Sequence, residues 1–208
     1  MSDEFRIVAL KQGTAEWLAW RRDGIGASDA PAIMGENPWK DPEQVLAEKL
    51  SLSVDSYSRA MERGSALEPE ARRQYEQTFG IRMKPECLQS NAYDWLRASV
   101  DGLSQEAQRV VEIKCGSSVY RHTAASGEPP GYYYGQLQHI LAVTGYRSID
   151  FWCYLPSRPG VHVCVPRSDD YIQRLIETEH AFWERVRARR TNDAPDHGPG
   201  VRGPIPRA

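Results

Sequence analysis

The run VVEIKC, residues 110–115, carries a glutamate and a lysine inside a stretch that otherwise has the Val and Ile content of a buried strand. Side chains on a strand alternate faces, so Glu112 and Lys114 project to one side while Val111, Ile113 and Cys115 project to the other. Upstream, ASVDGL is a second apolar run broken by Asp101, and the polar stretch from Ser104 to Arg109 predicts a turn that folds the two strands back on each other. A chain that makes this pairing carries Asp101 towards Glu112 and gathers two acids and a base in one place.

Such a cluster has an ordinary explanation, a cross-strand salt bridge on an exposed sheet face. The position of Asp101 at a strand end beside Gly102, and of Glu112 within so apolar a run, points instead to chemistry. Hard oxygen ligands converging at a strand end suit magnesium or manganese, which bind through one or two carboxylates, waters and substrate phosphate. A lysine beside them can help deprotonate a water or stabilise the extra negative charge of a pentacovalent phosphate.

The flanking sequence reads as one domain over residues 1–190 and a disordered Pro/Gly-rich tail over 191–208. TAEWLAWRRD predicts a helix capped by Thr14, and DPEQVLAEKL a helix capped by Asp41 with Pro42 in its first turn. Between them GIGASDAPAIMG predicts a tight turn feeding a short helix that Gly35 ends. Leu67, Ala71, Tyr75 and Phe79 share one face of a helix from about Ser65 to Phe79, whose first turn Pro69 should distort. IRMKPECL is a weaker strand, YYYGQLQHILAVTG a helix, SIDFWCYLP and GVHVCVP a hairpin, and residues from about Ser168 to Arg190 a final helix. The four cysteines show no CxxC pairing and read as reduced core thiols. A net charge of -2 excludes the broad basic footprint of a nucleic-acid coating protein, so any contact with DNA must be local. Neither a membrane span nor a signal peptide is legible, which predicts a cytoplasmic protein.

The pattern V-D-G-(x)8-V-V-E-I-K-C resembles the signature of the PD-(D/E)xK nuclease superfamily. With it, QGTAEWLAWRRDGIGASD, RGSALEPEARRQYEQTFG and YYYGQLQHILAVTG stand in the order and spacing of the lambda-exonuclease-like, YqaJ-type viral recombination nucleases. The likeness spans roughly residues 10 to 185. It departs at Val100 and Gly116, where the family often has proline.

The resemblance implies an α/β restriction-endonuclease-like fold, a central mixed sheet flanked by helices. It also implies a deoxyribonuclease that degrades linear duplex DNA 5′ to 3′ with two divalent ions, Mg2+ or Mn2+. The exposed 3′ strand would pass to a single-strand annealing partner, and the enzyme would work as a homotrimeric ring. Asp101, Glu112 and the Ile113 carbonyl would hold metal, and Lys114 would be base or charge stabiliser. Glu68, in G-x-x-x-E, would reach a metal or its waters, although Ser65 to Glu68 also fits a capping box. Of Gln136 and Gln138, about 200 degrees apart on a helix, the family match turns Gln138 inward and leaves Gln136 to structure or a second contact. Arg21 and Ser28 occupy the positions that hold a terminal 5′-phosphate, with Arg22 as a competing neighbour and Ser99 as a further phosphate contact. The rivals are an endonuclease or single-strand nuclease of the same superfamily, and a DNA-binding or assembly protein without turnover.

Overall fold

In the computed structural model, which describes residues 4–50 and 59–192, the expected reversal forms the middle of a central sheet. Strand β1 (Phe5–Val8) precedes helix α1 (Ala15–Arg22), the short strand β2 (Ile25–Gly26), and helices α2 (Ala30–Ile33), α3 (Pro42–Leu50) and α4 (Arg59–Phe79). Strands β3 (Lys84–Ser90), β4 (Leu96–Ser104) and β5 (Arg109–Lys114) follow. Helix α5 (Ser117–Ser126), a 3-10 turn and helix α6 (Tyr134–Thr144) lead to β6 (Ser148–Cys153), β7 (Val161–Pro166) and α7 (Asp169–Asn192). The sheet order is β1-β3-β4-β5-β6-β7, with β2 paired to β4. It is mixed, because β5 and β6 run parallel and need the long α5–α6 crossover between them.

The strand alternation sorts the core into two layers. Val110, Phe151, Ala98 and Val100 pack with Leu137, Ile140 and Leu141 of α6 on one face. Val111, Ile113 and Trp152 meet Ala71 and Tyr75 of α4 on the other, flanked by Leu67 and Phe79 at the predicted spacing of four. Each fully buried Leu or Ile here contributes about 1.5–3 kcal/mol relative to exposure. Local signals agree at several ends. Thr14 accepts the Trp17 N–H at 3.3 Å, Asp41 and Gln44 bond reciprocally across the start of α3, and Gly145 ends α6 at φ +68°.

Three expectations need correction. Helix α4 begins at Arg59, so Pro69 lies in its interior rather than its first turn, and Ser65 is no cap. The helix is held by its apolar stripe on the sheet, which outweighs one lost backbone donor. Cys164 is exposed on an outer strand and Cys115 half-buried, leaving only Cys87 and Cys153 as core thiols. Helix α7 takes in Thr191 and Asn192, and the rest of the expected tail lies outside the described residues. Among the described residues no helix is long and apolar enough to cross a membrane.

Strand β4 carries the feature that positions the site. Lys84 pairs with Leu103 and Glu86 with Val100, so two steps along β3 match three along β4. Val100 and Leu103, an odd number of residues apart, consequently face the same core layer. This is a β-bulge at Asp101–Gly102, a device that re-aims a side chain. Gly102 is required there, since a Cβ would stand 2.7 Å from Val111 Cγ1. Because β3 occupies one edge of β4, β2 and β5 share the other: β2 pairs at Leu96 and Arg97, β5 from Gly102 onward. Ser99 and Asp101 fall in the gap between them.

Candidate active site

The gap in the β4 edge is closed by side chains. Asp101 Oδ2 accepts the Ile113 N–H at 2.7 Å, just beyond the last backbone pair between β4 and β5. Glu112, only 3% exposed, accepts two bonds on Oε1: from Lys114 Nζ at 2.7 Å and from Gln136 Nε2 at 2.7 Å. Its other oxygen, Oε2, is buried with no hydrogen-bond partner. Lys114 Nζ also lies 4.6 Å from the centroid of the Tyr133 ring. From α4, Glu68 bonds Arg72, whose Nε donates to the Asp101 carbonyl at 2.6 Å.

Burial, then Glu112 and Glu68 beside it, push the Asp101 carboxyl well above its ordinary range. Glu68 is raised too, chiefly by burial with Glu112 adding, although Arg72 opposes the shift. Burial disfavours a charged Lys114, but Glu112, Tyr133 and Asp101 outweigh it and raise its pKa, so the ammonium is favoured. Burial, then Asp101 and Glu68, push the Cys115 thiol up to about 12. Asp101 and Glu112 thus share one lysine, with Glu68 close enough to raise Asp101 although it pairs with Arg72, and the group is short of positive charge.

That shortage fits a divalent cation. Glu112 Oε2 is a buried oxygen left without a donor, and the carboxylates are the hard ligands that magnesium and manganese prefer. Among the described residues no three His, Cys, Asp or Glu side chains already stand as a metal cage. Glu68 is turned to Arg72, which excludes the capping-box alternative without bringing its carboxylate onto the pair from β4 and β5.

The two glutamines are placed the other way round from the expectation. Gln138 is fully buried, donates to the Pro166 carbonyl at 2.9 Å and accepts the Ser168 N–H at 2.9 Å, so it ties β7 to α7. Gln136 is the residue that touches Glu112. The 200 degree separation was sound, but the Gln138 face of α6 looks toward α7, where Tyr134 also packs on Tyr171 at 4.9 Å.

The second group of expected residues assembles around Trp17. Arg21 Nη2 donates to Ser28 Oγ at 2.7 Å, the Arg21 guanidinium lies 4.8 Å from the Trp17 ring, and Trp17 Nε1 donates to Ser99 Oγ at 2.8 Å. Ser99 and Asp101 are two residues apart on β4, about 7 Å. Helix α2 is a single turn whose first-flanking residue, Asp29, makes no cap bond and instead accepts the Gly26 N–H at 3.0 Å, so Arg21 and Ser28 stand beside it without a helix dipole behind them. Asp29 is buried and lies 3.9 Å from Arg21 and 2.7 Å from Lys49 Nζ. Burial opposes its ionisation, yet Lys49 and Arg21 hold its carboxyl well below the usual range. Arg22 instead offers its carbonyl to Arg190.

Sequence reasoning missed Trp17, Arg72, Tyr133 and the Asp29–Lys49 pair. Arg72 was within reach, four residues after Glu68 on one helix. Trp17 was too, four residues before Arg21 on α1, whereas Tyr133 and the Asp29–Lys49 pair join separate elements and leave no local spacing to detect.

A sequence model of the YqaJ-like viral recombinase domain matches residues 16–147. The uncharacterized protein YqaJ of Bacillus subtilis is 32% identical over 174 residues, covering 81% of this chain and 54% of that protein. The chain therefore spans about half the length of that relative. An alkaline exonuclease from Laribacter hongkongensis, LHK-Exo, is similar with a TM-score of 0.75 at 26% identity, over 86% of this chain and 95% of the other. The same exonuclease in complex with dAMP gives 0.76 over the same shares. A phage-related exonuclease from Haemophilus somnus shares the fold at 12% identity and a TM-score of 0.61, over 81% and 96% of the two chains.

Proposed function

From the premise that this chain belongs to the YqaJ-like viral recombinase domain family, we propose that it is a metal-dependent exonuclease acting on linear duplex DNA. In this reading residues 1–190 act as one nuclease domain, which removes nucleotides 5′ to 3′ and leaves a 3′ strand for an annealing protein. The observation that carries it is the unpartnered Oε2 of Glu112, buried beside Asp101 and Lys114 at the point where β4 and β5 part.

Asp101, Glu112 and the Ile113 carbonyl are the groups that would hold one or two Mg2+ or Mn2+ ions, with Glu68 reaching in from α4. Such an ion supplies Lewis-acid charge to the phosphate and makes water a better nucleophile. Lys114, kept as the ammonium, offsets negative charge that grows on the phosphoryl oxygens. Gln136 and Lys114 fix the Glu112 carboxylate through Oε1 and so aim Oε2. Gln138 acts only through the seating of α6. Arg21 and Ser28 grip a 5′-phosphate, and Ser99, held by Trp17, lies between that grip and the acids. With a net charge of -2 the protein cannot hold DNA by broad attraction, which favours enclosure by a homotrimeric ring.

Linear duplexes labelled at either end, with and without a 5′-phosphate, test this reading. Loss of label from 5′ ends first, dependent on magnesium, stopped by chelator and faster with the phosphate, is expected, and Arg21→Ala should erase that last preference. Cutting of closed circular DNA would favour the endonuclease rival. Folded protein that leaves all these substrates intact would reject catalysis.

A further inference from the structure

Of the six tryptophans, Trp39 alone is strongly exposed, at 71%. Its backbone is nevertheless fixed. The Trp39 N–H donates to Asn37 Oδ1 at 2.9 Å, Lys40 pairs with Glu48, and Asp41 caps α3 immediately after it. The ring meets Tyr132 edge to face, with centroids 4.8 Å apart and planes at 76°, an arrangement that leaves a Trp39 face open to solvent. Tyr132 packs on Tyr133 at 4.6 Å, and Tyr133 is the ring that lies 4.6 Å from Lys114 Nζ and 5.6 Å from Phe151 in the core. A continuous series of aromatic rings therefore runs from solvent to the acid cluster.

We infer that Trp39 and Tyr132 form a stacking platform for an unpaired nucleobase of the DNA strand engaged at the Glu112–Lys114 cluster. This rests on the nuclease reading and adds to it a binding subsite outside the acid cluster and the Arg21–Ser28 grip. An exonuclease working at a duplex end must part the terminal base pair, which loses base stacking. An exposed, rigidly mounted indole returns that stacking for any of the four bases, because each has a π-face. Lys114 at the inner end of the series draws in the phosphate that accompanies the base, and no other exposed large apolar side chain among the described residues is tied to the cluster through ring contacts.

The test measures binding, in magnesium and within a time too short for residual cutting, of a duplex with an oligothymidylate overhang to protein slowed by Glu112→Gln. Adding Trp39→Ala should weaken binding about tenfold, whereas Trp39→Phe should keep most of it. One abasic site in the overhang should reproduce the loss with Trp39 present and add nothing once Trp39→Ala is made. Equal affinities for Trp39 and Trp39→Ala, or a loss that ignores the abasic site, would overturn the platform and leave the nuclease reading standing. A change of oligomeric state in Trp39→Ala without any abasic effect would assign the ring to a contact between copies and also overturn it. Failure of the parent protein to bind or cut any DNA in magnesium would remove the nuclease reading itself, and the platform with it.

Discussion

Glu112 and Asp150 are acids of equal burial, 3% exposed, on the neighbouring strands β5 and β6, one pairing step apart. They serve opposite faces of the sheet and are solvated in opposite ways. Asp150, on the α4 side, has both oxygens served: His162 Nε2 at 2.8 Å on one, the Tyr75 hydroxyl and Arg109 Nη2 at 3.1 Å on the other. Glu112, on the α6 side, has two donors crowded on one oxygen and none on the other. A buried carboxylate with both oxygens satisfied stabilises the packing around it, whereas one satisfied on a single side retains the desolvation penalty until something positive arrives. Burial does not distinguish them; the hydrogen-bond inventory does.

The contrast is sharpest in activity. Glu112→Gln should lower cleavage by about 10²–10⁴-fold with a stability change under about 1 kcal/mol. Asp150→Asn should leave cleavage per folded molecule near normal and lower stability by about 2–4 kcal/mol in urea titration, because it disturbs three donors at once. A folded Asp150→Asn protein without activity would break the comparison. The next effect is in cation linkage. Magnesium at about a hundred times its dissociation constant stabilises a protein by about 2.7 kcal/mol, so the melting temperature of the parent and of Asp150→Asn should rise on addition and fall back with chelator. That of Glu112→Gln should not move.

Within α6 the two glutamines repeat the same opposition at smaller scale. Gln136→Ala should slow cleavage about tenfold, because Glu112 loses a bond that orients it, and leave stability nearly unchanged. Gln138→Ala should cost about 1–2 kcal/mol and leave the rate alone. If Gln138→Ala slowed folded enzyme more than Gln136→Ala, the assignment would be reversed.

The smallest effect concerns a third buried acid, Glu179, which bonds His139 Nδ1 at 2.8 Å while His139 Nε2 faces the Arg97 carbonyl at 2.9 Å. That carbonyl only accepts, so Nε2 carries a proton and a second proton lies between Nδ1 and Glu179. Burial works against a charged His139, but Glu179 and the Arg97 carbonyl outweigh it and raise its pKa; burial raises Glu179 as well. Both groups hold protons more tightly folded than unfolded. Their contribution is thus largest at low pH and is lost as pH rises through the raised histidine value. The urea midpoint should fall as pH rises above about 6.5, the ordinary histidine value, and Glu179→Gln should flatten that decline.

Local rules carried much of this into the sequence. The alternation in VVEIKC, the reversal before it, the caps at Thr14 and Asp41 and the stripe from Leu67 to Phe79 all rest on neighbours along the chain. The bulge at Asp101 does not, because nothing in SVDGL marks an extra residue until Gly102 is seen against Val111. The glutamine assignment failed for a related reason. Helix α6 is buried nearly all round, from Leu137 to Thr144, so its pattern names no preferred face. Asp150 in SIDFWC and Glu112 in VVEIKC are likewise the same signal, an acid in an apolar strand, and only the partners supplied by α4 and α6 separate them.

The bond from the Ile113 amide to Asp101 gives the site a reporter of its own. Elsewhere in the sheet an amide's exchange with solvent reports the opening of strands, but this one is held by a carboxylate that turns on a side-chain torsion. A cation that fixes that torsion should slow deuterium uptake at Ile113 while the paired residues Gly102 and Val111 keep their rates. One nitrogen-15 resonance would then follow occupancy of the site in protein at rest, with neither DNA nor turnover needed to see it.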